Sequence, residues 1–521
     1  MGEAWMTARC ASEFLGTFVL VATVCANGLA EQSVWSGVSI GCSLAVMIYA
    51  LGKASGAHFN PAVSVACGLA GKCPPKDVFF YIVSQLAGGI LGALVSMIMY
   101  GEKGITLGPG DKYVWWQACG VELIYTFMLC FVILNVACSK MHAGRNQFYG
   151  LAIGFVIIAA AYGGGSISGA CLNPAVSVAI DINSAMITGT SPTGYSIMYV
   201  IAELLGAALA AGLFRVVRPE DYTEGDDGSS GYPLSAKLVS EFLGTYMLVL
   251  TVGLNVLTKS VAGAFSISAS LMCMIFALGT VSGAHFNPAV TVAVVASRRG
   301  KCSPEEGAKY IVVQLAAGLL AARTYCLLTG DTFTSLKPTD SNWGQVFVAE
   351  LIFTAVLAFI VLSVATVQSS LSEYFGLAIG LCVTVGGCAI GGISGGSLNP
   401  AVSLGIASSG DLRALWHFIP YAFIELSAGA MAAGLFYVTQ PSEFQTEWMG
   451  EDPAAEVEEG AGVLMKEVSG LDDVVPEGSE AAFKAEKLIL PSVQKASFDL
   501  EGRSTQKSKS TSLGRCAGWF F

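Results

Sequence analysis

Ser55-Gly56-Ala57-His58-Phe59-Asn60-Pro61-Ala62-Val63 decides how this chain is read, because its last four residues recur three more times. Asn-Pro-Ala-Val begins again at Asn173, Asn287 and Asn399, at separations of 113, 114 and 112 residues. The later copies follow small-residue runs of the same kind, Ser168-Gly169-Ala170-Cys171, Ser282-Gly283-Ala284-His285 and Ser394-Gly395-Gly396-Ser397. Asn is a favoured helix N-cap and Pro a favoured first helical residue. Asn60-Pro61-Ala62, Asn173-Pro174-Ala175, Asn287-Pro288-Ala289 and Asn399-Pro400-Ala401 therefore each read as an abrupt helix start. The apolar stretch from Asn60 to Ala70 is about 16 Å long at 1.5 Å per residue, half the hydrocarbon core of a bilayer.

Composition places the chain in a membrane. It is 54% hydrophobic and 12% charged, with mean hydropathy +0.63, whereas soluble domains carry about 25% charged residues. No Asp, Glu, Lys or Arg stands between Glu31 and Lys53 or between Arg145 and Asp181. The net charge of -11 describes a tail more than a pore, since residues 441–482 hold twelve acids against Lys466 alone. The fifteen cysteines lack paired ligand spacing, so neither a disulfide framework nor a metal is expected, and no cofactor is implied. The first apolar segment, Ala11 to Ala30, is long and carries Glu13, which favours a retained helix over a cleaved signal.

Aligning the four copies brings up a second signature, a glutamate with a threonine four residues on: Glu13 and Thr17, Glu122 and Thr126, Glu241 and Thr245, Glu350 and Thr354. Each glutamate leads its own Asn-Pro-Ala by 46 to 51 residues, and each repeat holds three spanning helices and one half-helix. Spans are expected near 11–31, 36–54, 78–100, 115–138, 148–165, 195–216, 240–258, 264–281, 308–328, 343–366, 374–391 and 416–438. An odd number of crossings inverts the next repeat, so the four make two inverted pairs. The expected architecture is an all-α integral membrane protein of two bundles, residues 1–218 and 234–440. Residues 219–233 form a solvated acidic linker, and 441–521 a largely disordered tail. Basic residues Lys72, Lys76, Lys140, Arg145, Arg215, Arg218, Arg298, Arg299 and Lys301 outnumber the opposing Lys103, Lys112, Lys259 and Lys337. The positive-inside bias then puts both termini in the cytoplasm. The basic, Ser/Thr-bearing segment from Arg503 to Arg515 reads either as a phosphorylation target or as an unregulated tail.

Backbone turns inside a membrane only where it is packed in protein or lines a wet cavity. Inversion brings the two half-helices of a bundle together N-terminus to N-terminus at mid-depth. Their dipoles repel cations there, while Asn60 with Asn173, and Asn287 with Asn399, offer amide donors to a neutral solute. Glu13, Glu122, Glu241 and Glu350 need partners inside the membrane, and the re-entrant loops supply them. A proton relay through these glutamates is the alternative role.

These motifs resemble those of the aquaporin, or major intrinsic protein, family, and the resemblance covers about residues 10–440 twice over. It implies a passive channel for water or small uncharged solutes such as urea, ammonia, hydrogen peroxide or glycerol, and no enzymatic activity. Four-pore assemblies in the family imply a homodimer of this chain, with a two-pore monomer as the alternative. No nucleic-acid partner is implied; the lipid bilayer and small neutral solutes are. The membrane would be the plasma membrane or an intracellular, vacuolar one.

Orthodox water channels carry Arg three residues after the second asparagine, and this chain has Val176 and Val402 there. By the family's spacing the first selectivity filter is Ile40, Ala161, Ala170 and Val176, and the second Ile267, Gly387, Gly396 and Val402. Both are apolar, and the second, with two glycines, is expected to be the roomier. Ser177 and Ser403 replace the Asp typical of glycerol facilitators. An apolar constriction could also dewet and block flow. His58 and His285 fall where the family places a pore-facing histidine, either as a plain donor or as a pH gate. Cys171 either lines the first pore or packs away from it. A non-conducting scaffold that has kept the fold, and a coupled transporter, are the competing classes.

Overall fold

The first repeat consists of α1 (Gly2–Leu29), α2 (Ser36–Ser55), the short α3 (Pro61–Leu69) and α4 (Pro75–Met99). The second follows as α5 (Trp115–Ile133) with a π-turn at Leu134–Cys138, α6 (Tyr149–Ser168), the short α7 (Pro174–Thr188) and α8 (Tyr195–Val217). The third and fourth repeat the pattern: α9 (Leu234–Leu257), α10 (Gly263–Ser282), α11 (Pro288–Ala296) and α12 (Pro304–Thr329), then α13 (Trp343–Ala365), α14 (Phe375–Ser394), α15 (Pro400–Ser409) and α16 (Phe418–Thr439). This is a computed structural model. It describes residues 2–447 apart from 31–33, 102, 104, 190–193, 226–230, 334, 335, 337, 339, 340 and 411. Among the described residues there are twelve helices long and apolar enough to span a membrane and no strand. Residues up to Phe444 form one compact unit. Lys337, Asp226, Asp227, most of the acidic tail and the basic segment 503–515 lie outside the described residues.

Several helices begin earlier than the expected spans. The pattern placed starts near 11, 78, 240 and 308, whereas α1, α4, α9 and α12 start at Gly2, Pro75, Leu234 and Pro304. The first turns of these helices carry charges that are paired between helices. Arg9 on α1 holds Asp77 on α4 at 2.7 Å, and Lys237 on α9 holds Glu306 on α12 at 3.0 Å.

The two bundles pack through α5 and α6 of the first against α9 and α10 of the second. Phe148 stacks on Phe276 with ring centroids 4.3 Å apart. Tyr125 donates to the Thr251 hydroxyl at 3.1 Å, and Ser266 to the Ala159 carbonyl at 2.9 Å. The start of the segment after α8 departs from the solvated linker that its acidity suggested, while residues 222–225 are exposed. Pro219–Tyr222 is a 3₁₀ turn docked on the protein: Glu220 is buried, and Asp221 pairs with Lys72. The tail, likewise, does not leave the protein at residue 441. Pro441–Glu447 forms a 3₁₀ turn in which Glu443 binds Arg299 at 3.3 Å, and Arg299 lies over the Phe436 ring at 4.3 Å. Opposite charge on the adjacent loops explains both departures.

Arg218 is the polar centre of the bundle junction and is wholly buried. Its guanidinium donates to Asn135 Oδ1 at 2.9 Å and to the Ala277 carbonyl at 2.8 Å and Tyr232 hydroxyl at 2.6 Å, with Glu220 3.6 Å away. A planar fork with five donors reaches both bundles at once. Arg218→Leu removes the cation beside the buried Glu220, which keeps the Tyr232 hydroxyl as a donor, and losing one partner of a buried pair costs about 3–5 kcal/mol. Its thermal unfolding midpoint in detergent should fall well below that of Arg215→Leu, a change at an exposed position; equal midpoints would contradict the role given to Arg218.

Candidate functional site

Each re-entrant loop is built the same way. The preceding span ends at a glycine in the left-handed region, Gly56, Gly169, Gly283 or Gly395, with φ between 86° and 92°. The next residue and the one before each asparagine are left-handed too, among them Ala57, Phe59, Ala170, Leu172, Ala284, Phe286 and Leu398 at φ 49–53°. Such conformations cost of order 1–3 kcal/mol each for non-glycine residues and persist only when the surroundings fix them. Burial supplies one fixing force: Phe59 and Phe286 are fully buried, each ring seated where Gly16 or Gly244 lacks a side chain.

The carboxylates supply the other. Glu13 accepts from Ser55 Oγ at 2.5 Å, from the backbone N–H groups of His58 and Phe59 at 3.0 and 2.7 Å, and from Gln85 at 2.8 Å. Glu241 repeats this with Ser282 at 2.6 Å, the N–H groups of His285 and Phe286 at 2.9 and 2.7 Å, and Gln314 at 2.8 Å. Glu122 accepts from Ser168 and the N–H groups of Cys171 and Leu172, and Glu350 from those of Ser397 and Leu398. Consecutive N–H groups in this turn make a nest for an anion, and a side chain of the same chain fills it.

The loops thus aim the four asparagines. Asn60 caps α3 by accepting from Ala62 N–H at 2.8 Å and donates to the Leu172 carbonyl, next to Asn173, at 2.7 Å. Asn173 caps α7 and donates to the Phe59 carbonyl at 2.9 Å. Asn287 and Asn399 do the same, donating to Leu398 and Phe286 carbonyls at 2.8 and 2.9 Å. The half-helices of each bundle therefore meet N-cap to N-cap. One amide hydrogen of each asparagine is committed across the pair, which leaves one for a solute rather than two.

A cavity runs past each pair. The first, about 330 Å³, is lined by Asn60, Asn173, His58, Cys171 and all four of Ile40, Ala161, Ala170 and Val176. The second, about 530 Å³, is lined by Asn287, Asn399, His285 and all four of Ile267, Gly387, Gly396 and Val402. Gly387 and Gly396 pack backbone to backbone, a Cβ on Gly396 lying 3.4 Å from the Gly387 Cα. Neither puts a side chain into the space. Tyr162 lines the first cavity, and Cys388, one residue after Gly387 as Tyr162 is after Ala161, is absent from the lining of the second. His58 is hydrogen-bonded through Nδ1 to Ser64 at 3.0 Å, and His285 to Thr291 at 3.1 Å.

A third fourfold motif escaped the sequence reading: Tyr81 and Gln85, Tyr199 and Glu203, Tyr310 and Gln314, Tyr421 and Glu425, each pair followed by Leu. The tyrosines donate to the carbonyls of Ser55, Ser168, Ser282 and Ser394 at 2.6–2.9 Å. Glu203 accepts from Asn173 N–H and Ser177 Oγ, both at 2.9 Å, and Glu425 from Asn399 N–H and Ser403 Oγ. These carboxyl oxygens satisfy the N-cap N–H groups of α7 and α15. The Tyr-x-x-x-Gln/Glu spacing after each half-helix was the signal that would have revealed it.

Comparison with known proteins follows the same duplication. The sequence profile described as Major intrinsic protein matches residues 3–189, 157–262, 234–437 and 372–469. An aquaporin of Methanothermobacter marburgensis is 31% identical over 247 residues, 41% of this chain and 99% of that protein. A probable aquaporin of Arabidopsis thaliana is 36% identical, covering 38% of this chain and 72% of its own length. Glycerol uptake facilitator protein 3 of Lactiplantibacillus plantarum is 35% identical over 39% of this chain and 95% of that one. Members of this family are membrane channels and not enzymes, and this integral membrane protein forms a transmembrane channel for water and small solutes. The chain belongs to the major intrinsic protein family, as two fused copies of its channel unit.

Proposed function

We propose that each unit, residues 1–218 and 234–440, holds one pore that passes water together with small uncharged solutes of the size of urea, ammonia, hydrogen peroxide and glycerol. The observation that carries this reading is a cavity in each bundle, lined by both N-cap asparagines and by four filter residues without Arg, His or an aromatic ring. Opposed helix N-termini disfavour cations, and the remaining amide hydrogens serve a neutral solute. Without a guanidinium at Val176 or Val402, selection rests on size. The larger second cavity then admits the bulkier solutes. The relative named as a glycerol uptake facilitator is compatible with that range. Both histidines act as oriented pore-lining donors, held through Nδ1 by Ser64 and Thr291. Glu13, Glu122, Glu241 and Glu350 support the loops.

The filter assignment is tested in proteoliposomes by urea and glycerol uptake beside osmotic swelling. Val176→Arg and Val402→Arg should each remove a separate part of the solute uptake, and together bring it to the level of bare lipid while water flow persists. Solute uptake unchanged in both single variants would refute the assignment.

The assembly proposed is a homodimer with four pores. In spans α5, α6, α9 and α10, which join the two units, 72–78% of the residues in the most apolar stretch are buried, against 39% and 22% in α1 and α2 and 50% and 28% in α13 and α14. By the internal duplication α1 and α2 correspond to α9 and α10, and α13 and α14 to α5 and α6. A second copy turned by a twofold axis offers each open face its counterpart and closes a ring of four units. The termini and the basic loops face the cytoplasm in this arrangement, in a plasma or intracellular membrane. Native mass spectrometry of the detergent-solubilised chain should give two copies; a stable, active single copy would exclude the ring.

A further inference from the structure

We infer that Cys67 and Cys138 are a reactive dithiol that hydrogen peroxide converts reversibly to a disulfide, a modification site present in the first unit and missing from the second. Cys67 lies on half-helix α3, and Cys138 closes the π-turn that follows α5. Their Sγ atoms are 3.9 Å apart. A disulfide brings the sulfurs to about 2.05 Å, so a change of rotamer with a small backbone adjustment closes the remaining gap. Cys67 is 1% exposed and Cys138 half-buried, which makes Cys138 the point of entry for an oxidant. Peroxide of this size is within the solute range proposed above for the pores.

The chemistry balances without any further reagent. The Cys138 thiolate attacks one peroxide oxygen and breaks the O–O bond, giving a sulfenic acid, and the departing hydroxide takes a proton to become water. The Cys67 sulfur then attacks the sulfenic sulfur, loses its own proton and expels the second water. Two thiols together lose two electrons, and one peroxide becomes two waters. An external dithiol reverses the bond by exchange.

The second unit cannot follow. Val294 stands seven residues after Asn287, as Cys67 does after Asn60, and Thr366 sixteen after Glu350, as Cys138 does after Glu122. In the first unit the bond ties α3, whose N-cap Asn60 lines the cavity, to the end of α5. Oxidation therefore acts on one pore and spares the other.

The test uses the full chain in proteoliposomes, treated with hydrogen peroxide, alkylated at free thiols and mapped by mass spectrometry. A peptide pair joining Cys67 to Cys138, lost on dithiothreitol treatment and absent from Cys138→Ser, is expected. Urea uptake in the Val402→Arg background, which reports the first pore, should change by about twofold or more on oxidation and return on reduction. In the Val176→Arg background it should not change. Failure to find the Cys67–Cys138 bond, its replacement by a bond from Cys67 to Cys73 or Cys130, or a bond that leaves first-pore uptake unaltered would overturn the inference. Mapping needs no conduction, and urea uptake by the reduced chain tests the pore alone, so a failure of the channel assignment is seen separately.

Discussion

A buried carboxylate bound to two successive backbone N–H groups recurs four times in this protein, and the rest of the architecture is arranged around it. Inside a bilayer an unpaired backbone donor costs several kcal/mol, and water is not at hand to satisfy it. A chain that stops a helix at mid-depth and starts another must therefore bring its own acceptors. Glu13, Glu122, Glu241 and Glu350 do so from a neighbouring span, and the turn they stabilise is one in which three of four residues are left-handed. The loop and the carboxyl group solve each other's problem: its oxygens are satisfied by oriented donors, and the strained backbone is held by them in turn.

With the loops fixed, the asparagines are not free to choose their partners. Each caps its own half-helix with Oδ1 and reaches across the pair with Nδ2, so the two half-helices of a bundle are joined at their tips. The remaining amide hydrogens and the N-terminal dipoles define a site for a neutral, hydrogen-bonding molecule. The same constraint recurs in both units, while the residues around it differ. Histidine precedes Asn60 and Asn287 by two residues, and Cys171 and Ser397 take that place before Asn173 and Asn399. Alanines at the first filter become glycines at the second, and the cavity grows from about 330 to about 530 Å³. Duplication has kept the framework and relaxed the lining.

Joining two units in one chain also creates a surface that the single unit does not have. Arg218 ends the first unit, and its guanidinium reaches α10 of the second, so the covalent junction is also a polar lock. The acidic residues beside it, Glu220 and Asp221, are drawn in with it. Part of the charge that looks like a linker in composition is used as packing.

The sequence by itself determined the number of repeats and the starts of the half-helices. Those follow from features that are local or periodic: an Asn-Pro start, the length of apolar runs, and fixed spacing between copies. The apolar segments understate the lengths of α1 and α9, whose first turns carry Arg9 and Lys237, residues paired with Asp77 and Glu306 on helices far away in sequence. The Tyr-x-x-x-Gln/Glu motif was present in the letters but had no visible purpose until the helices carrying it lay against the loops. Only the tertiary structure decided that each asparagine spends one hydrogen on its partner loop, that Arg218 is buried, and that Cys67 touches Cys138. Each of these is a contact between segments brought together by packing, and linear spacing carries no information about which buried donor meets which acceptor.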